Sequence, residues 1–412
     1  MSNKVRNRLL ALGCLLVFLG LGALFYVNWV VQRPFAVILF LADNLTPSVL
    51  TPARNYQGGA DHRLALEKLP NLALVSTHAN DFAVADGAAA ATSIATGKKG
   101  NNGAVGVPAA KGMSPTLLGI ARERGRSVGI VSSASVTDAT PAAFYAGTPD
   151  ALDHAGIALQ LAESGSIDVV LGGGGADLLP REKGGQRSDG RDLIGEMGGR
   201  GYDIVRTEVE LEGLPLWRSP RTLGIFSMGN LNFANEPVGD TGQPSLASMV
   251  RNAIRLLQYN PRGYFLVVDA GLAARSGSQN EGERTLREIL SLDEAVAEAL
   301  AYAGEDALVV VVGKRNVGGL RLNASPFRND KGAALLGINT QGVPSITWST
   351  GPESGTRMAP EGPASTEPAA SKRAAGIGTA EDAVAVGTGP GAEALRGFKD
   401  NTDIFKVLEK SL

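Results

Sequence analysis

Phe35-Ala-Val-Ile-Leu-Phe-Leu41 is an apolar run with no polar residue interposed. A strand with one wet face alternates apolar and polar side chains. An unbroken run of strand length instead suits a strand buried on both faces of a parallel sheet. Such a sheet needs covering helices and further strands of the same kind, and the chain supplies them. Residues 116–125 read as an amphipathic helix ending at Gly125, followed by an apolar strand at 127–132. Residues 245–259 form a helix with Ser245 as N-cap, stopped before Pro261 and followed by a strand at 264–268. Residues 289–303 place Ile289, Leu292, Val296 and Leu300 on one helical face and lead into the strand 307–312. This rhythm predicts an α/β fold with a central, mainly parallel β-sheet flanked by helices on both faces.

Upstream of Phe35 the sequence changes character. Leu9 to Val27 is continuously apolar and resumes after Asn28 with Trp29, Val30 and Val31. A helix needs about 20 such residues to cross a bilayer core. Lys4, Arg6 and Arg8 precede the run, so the positive-inside rule puts residues 1–8 in the cytoplasm. Residues 9–31 are then a single-pass signal anchor, and the bulk of the chain is extracytoplasmic, periplasmic or extracellular. Tyr26 and Trp29 fall where interfacial aromatic anchors sit. A cleaved signal peptide, cut after Gly20 and Gly22, is the rival reading. Apolar sequence continuing past that point favours the anchor. The linker to Phe35 is short, so the domain at 35–412 is expected close to the membrane surface. Within it, residues 351–376 are rich in Pro, Ala, Ser, Gly and Glu and read as a flexible surface insertion.

Composition narrows the function. The chain has 412 residues, 44% of them hydrophobic, enough for a large core. Its formal net charge of -2 and lack of a basic stripe argue against nucleic acid as a partner. The single cysteine, Cys14, lies in the apolar run, so no intrachain disulfide can form. Gly172 to Gly175 follow a strand, but a lone glycine run is a weak phosphate-loop signal.

Six segments, in order, resemble the alkaline phosphatase family: residues 84–97, 137–146, 168–174, 260–269, 292–296, and 389–392 with 400–405. The family hydrolyses phosphate monoesters through a phosphoserine, with two zinc ions, a nearby magnesium and an arginine that clamps the phosphoryl group. The resemblance therefore implies particular side chains at particular positions.

Many are missing. The family's Asp-Ser-Ala is Asp86-Gly87-Ala88 here, so the nucleophile position is occupied by Gly87 and has no hydroxyl. The histidines are His62, His78 and His154, with none beyond. At positions the resemblance marks as zinc ligands stand Ala274, Ser278, Lys314, Arg315 and Gly378. None of these can hold zinc as the family does. The clamping arginine, expected near Ala151, is absent. The magnesium side keeps oxygen ligands: Asp43, Asp138 and Thr140 match, and Asp269 stands where the family has Glu.

The reading is a membrane-anchored pseudoenzyme with a binding or assembly role. No cofactor is expected beyond one Mg or Ca at that oxygen set, and no zinc. The alternative is a residual or altered metal-dependent phosphoric-ester hydrolase. The anchor makes the membrane a partner, the resemblance implies a homodimer, and an envelope protein is a further candidate partner. One expectation concerns charge: Lys314 or Arg315 replaces the metal opposite Asp43, because converging carboxylates without a cation repel.

Overall fold

The computed structural model describes residues 2–25, 35–109, 114–216, 221–236, 242–323, 344–352 and 367–412. The chain divides into two compact units, residues 1–34 and 35–412. In the first, a helix runs over Asn3–Phe25, and its Asn3–Leu24 stretch is long and apolar enough to cross a membrane. Tyr26 and Trp29 lie outside the described residues.

The second unit is built on one large sheet. In chain order its strands are β1 (Ala36–Asp43), β2 (Asn71–Ser76), β3 (Ser127–Ser135), β4 (Val169–Gly173), β5 (Tyr202–Val205), β6 (Arg221–Ile225), β7 (Tyr264–Ala270) and β8 (Leu308–Val317). Three short strands, β9 (Leu320–Leu322), β10 (Ile346–Gly351) and β11 (Ala369–Lys372), make a separate small sheet. The chain then adds β12 (Gly378–Thr379) against β8 and returns with β13 (Ala383–Thr388) and β14 (Gly397–Asp400). The main order is β14-β2-β13-β8-β1-β7-β3-β4-β6-β5. Its neighbours are parallel except where β13 runs against β2 and β8.

Every residue of β1 is buried. Val37, Leu39 and Leu41 enter one apolar core, while Ile38, Phe40 and Ala42 enter the other. Two cores on opposite faces explain why the run shows no alternation. The helix Leu246–Leu257 starts at Ser245, whose hydroxyl accepts from the Ser248 amide, as its capping sequence predicts.

Three boundaries differ most from expectation. The helix read as 289–303 begins earlier, at Gly282, because Leu286 and Ile289 continue the same buried face. Strand β8 runs on through polar residues to Val317. Within 351–376, residues 353–366 lie outside the described set, while Ala369–Lys372 is a strand paired with β10.

Candidate functional site

Parallel strands end together, and the crevice beyond their carboxyl ends is where such sheets place their chemistry. Here Asp43 closes β1, Asp269 lies at the end of β7, and Lys314 and Arg315 sit in the extended end of β8. One open cleft is lined by Asp43, Gly87, Asp138, Thr140, Asp269, Ala274, Ser278, Lys314, Arg315 and Gly378, together with Ala151. Positions scattered over the whole domain thus come together in space.

The contact between β1 and β8 is irregular at the cleft. Ala42 faces Gly313 and Asp43 faces Arg315, so Lys314 is an extra residue on β8. Such a bulge breaks the alternation of side chains. Two consecutive cations can therefore reach one carboxylate. Lys314 Nζ lies 2.5 Å from Asp43 Oδ2, and Arg315 Nε lies 2.9 Å from Oδ1. Lys314 and Asp43 are both buried, whereas Arg315 is partly exposed. Burial raises the Asp43 pKa, but the two cations outweigh it and hold the carboxyl below its ordinary value. Asn44 follows with φ at 60°, a left-handed conformation that asparagine tolerates. Its amide donates to the Ala273 carbonyl and accepts from the Val317 amide, pinning the turn.

Asp269 has a different environment. Ser132 Oγ donates to its Oδ2 at 2.9 Å, while the buried Oδ1 has no partner among the described residues. Burial, reinforced by the neighbouring Asp43 and Asp138 charges and only partly opposed by Lys314, pushes its pKa up to about 7. Asp138 accepts from Arg275 Nη2 at 2.9 Å in a partly exposed pair. Thr140 is buried in the short helix Ala139–Ala142.

The helix Gly87–Thr96 starts at the cleft. Asp86 caps it, accepting from the Ala89 and Gly103 amides. A Cβ at Gly87 would lie 3.3 Å from Arg315 Nη2, so the guanidinium leans over the helix start. Thr92 and Ser93 do not replace a nucleophile. Thr92 Oγ1 accepts from the Gly106 amide, and Ser93 Oγ donates to the Ala89 carbonyl. A Cβ at Gly378 would meet Val84 Cγ1 at 2.7 Å, leaving no room for a larger side chain without movement. The amides of Gly174 and Gly175 donate to Gly229 and Ser227 carbonyls, so they hold a loop and are not free to cradle an anion.

The family model described as Alkaline phosphatase matches residues 36–412. The chain belongs to the alkaline phosphatase family. It is 34% identical over 310 residues to the tissue-nonspecific isozyme of Gallus gallus, a match covering 64% of this chain and 60% of that protein. To alkaline phosphatase H of Pseudomonas aeruginosa it is 32% identical over 323 residues, covering 67% of each. The chain thus spans about three fifths of the length of the tissue-nonspecific isozymes it matches, 60% for the Gallus gallus protein. The Thermus thermophilus alkaline phosphatase structure superposes with a TM-score of 0.74 at 24% identity, over 92% of each chain.

A solved variant of another member of the family, the TAB5 enzyme, has Mg bound. The residues here do not fit a metal of either family kind. Zinc would meet Ala274, Ser278 and Gly378, which offer no ligand of the kind it needs, and the Lys314 ammonium. A harder cation would meet an Asp43 whose two oxygens already face cations. Among the described residues, no group of three or more His, Cys, Asp or Glu is placed to hold a metal ion.

Sequence reading gave no role in the cleft to Asp86, His154 or Arg275, which also line it. Arg275 had a signal, since it lies on the same short helix as Ala274 and Ser278. His78 instead lies near Asp400, 3.4 Å from it.

Proposed function

We propose that this chain is a catalytically inactive alkaline phosphatase homologue, held at a membrane by residues 9–31, that uses the retained fold for binding or assembly. The observation that carries the reading is the Lys314–Asp43–Arg315 cluster beside Gly87. Protein cations occupy the carboxylate that would face a metal, and the position of the attacking oxygen has no side chain. Removing a serine nucleophile and its activating partners costs turnover on the order of 10⁶-fold. Here Ala274, Ser278 and Gly378 at the marked ligand positions add to that deficit.

The test is metal analysis of the purified full chain, paired with a chromogenic phosphate-ester assay with and without added Zn²⁺ and Mg²⁺. The expected result is no stoichiometric zinc and no turnover above background. Zinc-dependent hydrolysis would establish the alternative, an altered metal-dependent phosphoric-ester hydrolase that keeps Asp43, Asp138, Thr140 and Asp269 in use.

The anchor reading places the folded unit outside the cytoplasm. Lys4, Arg6 and Arg8 before the apolar helix support that orientation. Protease added to cells stripped of any outer membrane, with the inner membrane intact, should degrade the folded unit and spare the N-terminus. Family resemblance supports a homodimer, and an envelope protein is the proposed class of binding partner.

A further inference from the structure

We propose that Lys314 is a built-in substitute for a bound cation: its ammonium fills the anionic well at the ends of β1 and β7, closing it to divalent ions. The inference rests on the reading of this cleft as one without a catalytic metal, and it goes further by choosing the buried Lys314 over Arg315 as the substitute and by stating what its removal opens.

Three observations support it. First, the ammonium is buried and lies 2.5 Å from Asp43 Oδ2, an arrangement a lysine adopts only against a compensating anion. Second, Lys314 is the extra residue of the β1–β8 bulge. A regular strand would turn one of two consecutive side chains away, so the backbone itself is adapted to bring a second cation to Asp43. Third, Asp269 lines the same cleft at 1% exposure, with Oδ1 unpartnered among the described residues. Buried carboxylate oxygens are normally satisfied. An unpartnered one beside a fully engaged Asp43 is what remains when one tethered cation serves a place that a multiply coordinated ion could fill.

The native chain should therefore be indifferent to divalent ions, and removal of the ammonium should open a site for one. The oxygens available would be Asp43 Oδ2, Asp269 Oδ1 and the Thr140 hydroxyl, a set suited to Mg²⁺ or Ca²⁺. A unit positive charge a few ångströms away strongly repels a divalent ion. Its loss should tighten binding by about a hundredfold or more.

The experiment compares the detergent-solubilised full chain with its Lys314→Met variant, which keeps most of the apolar stem. Calorimetric titration with MgCl₂ or CaCl₂ is paired with thermal unfolding in chelator and in excess cation. Wild type should show no binding and no shift in Tm. Lys314→Met should bind one cation and regain Tm when it does. The double variant Asp43→Asn/Lys314→Met, lacking both charges, should fold and bind no cation. A Lys314→Met chain that gains no affinity, or that stays unfolded with cation present while the double variant folds, overturns the proposal. So does a wild-type Tm that falls in chelator. Phosphatase turnover by the wild-type chain would instead sink the reading of the cleft as inactive, so the two failures are distinguishable.

Discussion

Asp43 and Asp269 end neighbouring parallel strands, line one cleft and are equally hidden from solvent, at 2% and 1% exposure. They nevertheless differ in charge chemistry. Asp43, held by Lys314 and Arg315, is shifted below its ordinary value, whereas Asp269, with a single serine hydroxyl, is pushed up to about 7. Burial acts on both in the same direction. The difference lies in the partners, and those follow from one bulged residue on β8. A single strand irregularity thus brings two cations into contact with one carboxyl and leaves the other only partly compensated by Lys314.

The largest break in this comparison should come from Asp43. Asp43→Asn leaves the Lys314 ammonium buried without its counter-ion, and losing one partner of a buried pair costs about 3–5 kcal/mol. Asp269→Asn, at a site that is largely uncharged below pH 7, should cost no more than about 1 kcal/mol there. Chemical denaturation of both variants, followed by circular dichroism at pH 6, measures the contrast. Equal losses would mean that the two carboxyls are equivalent after all.

The pH dependence sharpens it. Asp269 rises from an ordinary value of 3.8 to about 7 in the fold. Between those values the native state holds a proton that the unfolded chain has released. Its contribution to stability is therefore complete below pH 4 and is lost as pH rises towards 7, by at most about 4 kcal/mol. Glu288 and Glu367, also pushed to about 7 mainly by burial, act in the same sense. Asp43 acts oppositely: its lowered pKa stabilises above the ordinary value and is lost as pH falls through the folded one. Unfolding free energies from pH 4 to 8 should thus decline, and Asp269→Asn should make the decline shallower. An unchanged slope would show that Asp269 titrates normally.

The sheet was legible because periodicity reports burial directly, and the N-terminal helix because its apolar run is long. The run 35–41 shows no alternation, and β1 feeds two cores. The positions of the cleft were legible one by one, as departures from a family pattern. What pairs with what was not. That Lys314 and Arg315 both reach Asp43 depends on a register shift, and nothing in the local sequence Val312-Gly-Lys-Arg-Asn316 announces a bulge. Arg275 bonding Asp138 and Arg315 leaning over Gly87 are likewise long-range facts, set by how β8 and the helix Leu272–Ser278 meet the cleft.

The smallest effect on stability concerns Gly87, where chemistry and stability separate. A serine at this first helical position gains slightly in helix propensity over glycine. Its Cβ would sit 3.3 Å from Arg315 Nη2, the far end of a side chain that can yield by a few tenths of an ångström. The two effects oppose, so Gly87→Ser should change stability by less than about 1 kcal/mol. It should restore no phosphatase activity. A hydroxyl becomes a nucleophile only when a base, a metal or a lowered pKa activates it. The group a Cβ at Gly87 would meet is the Arg315 guanidinium, which cannot accept its proton, and both Asp86 oxygens already accept from backbone amides. The same cation would attract a phosphate ester, so weak product-like binding without turnover is the expected outcome of a phosphate titration alongside the assay. Zinc-stimulated hydrolysis by Gly87→Ser would mean that one missing oxygen, and not the exchange of metal for lysine at Asp43, is what separates this cleft from an active one.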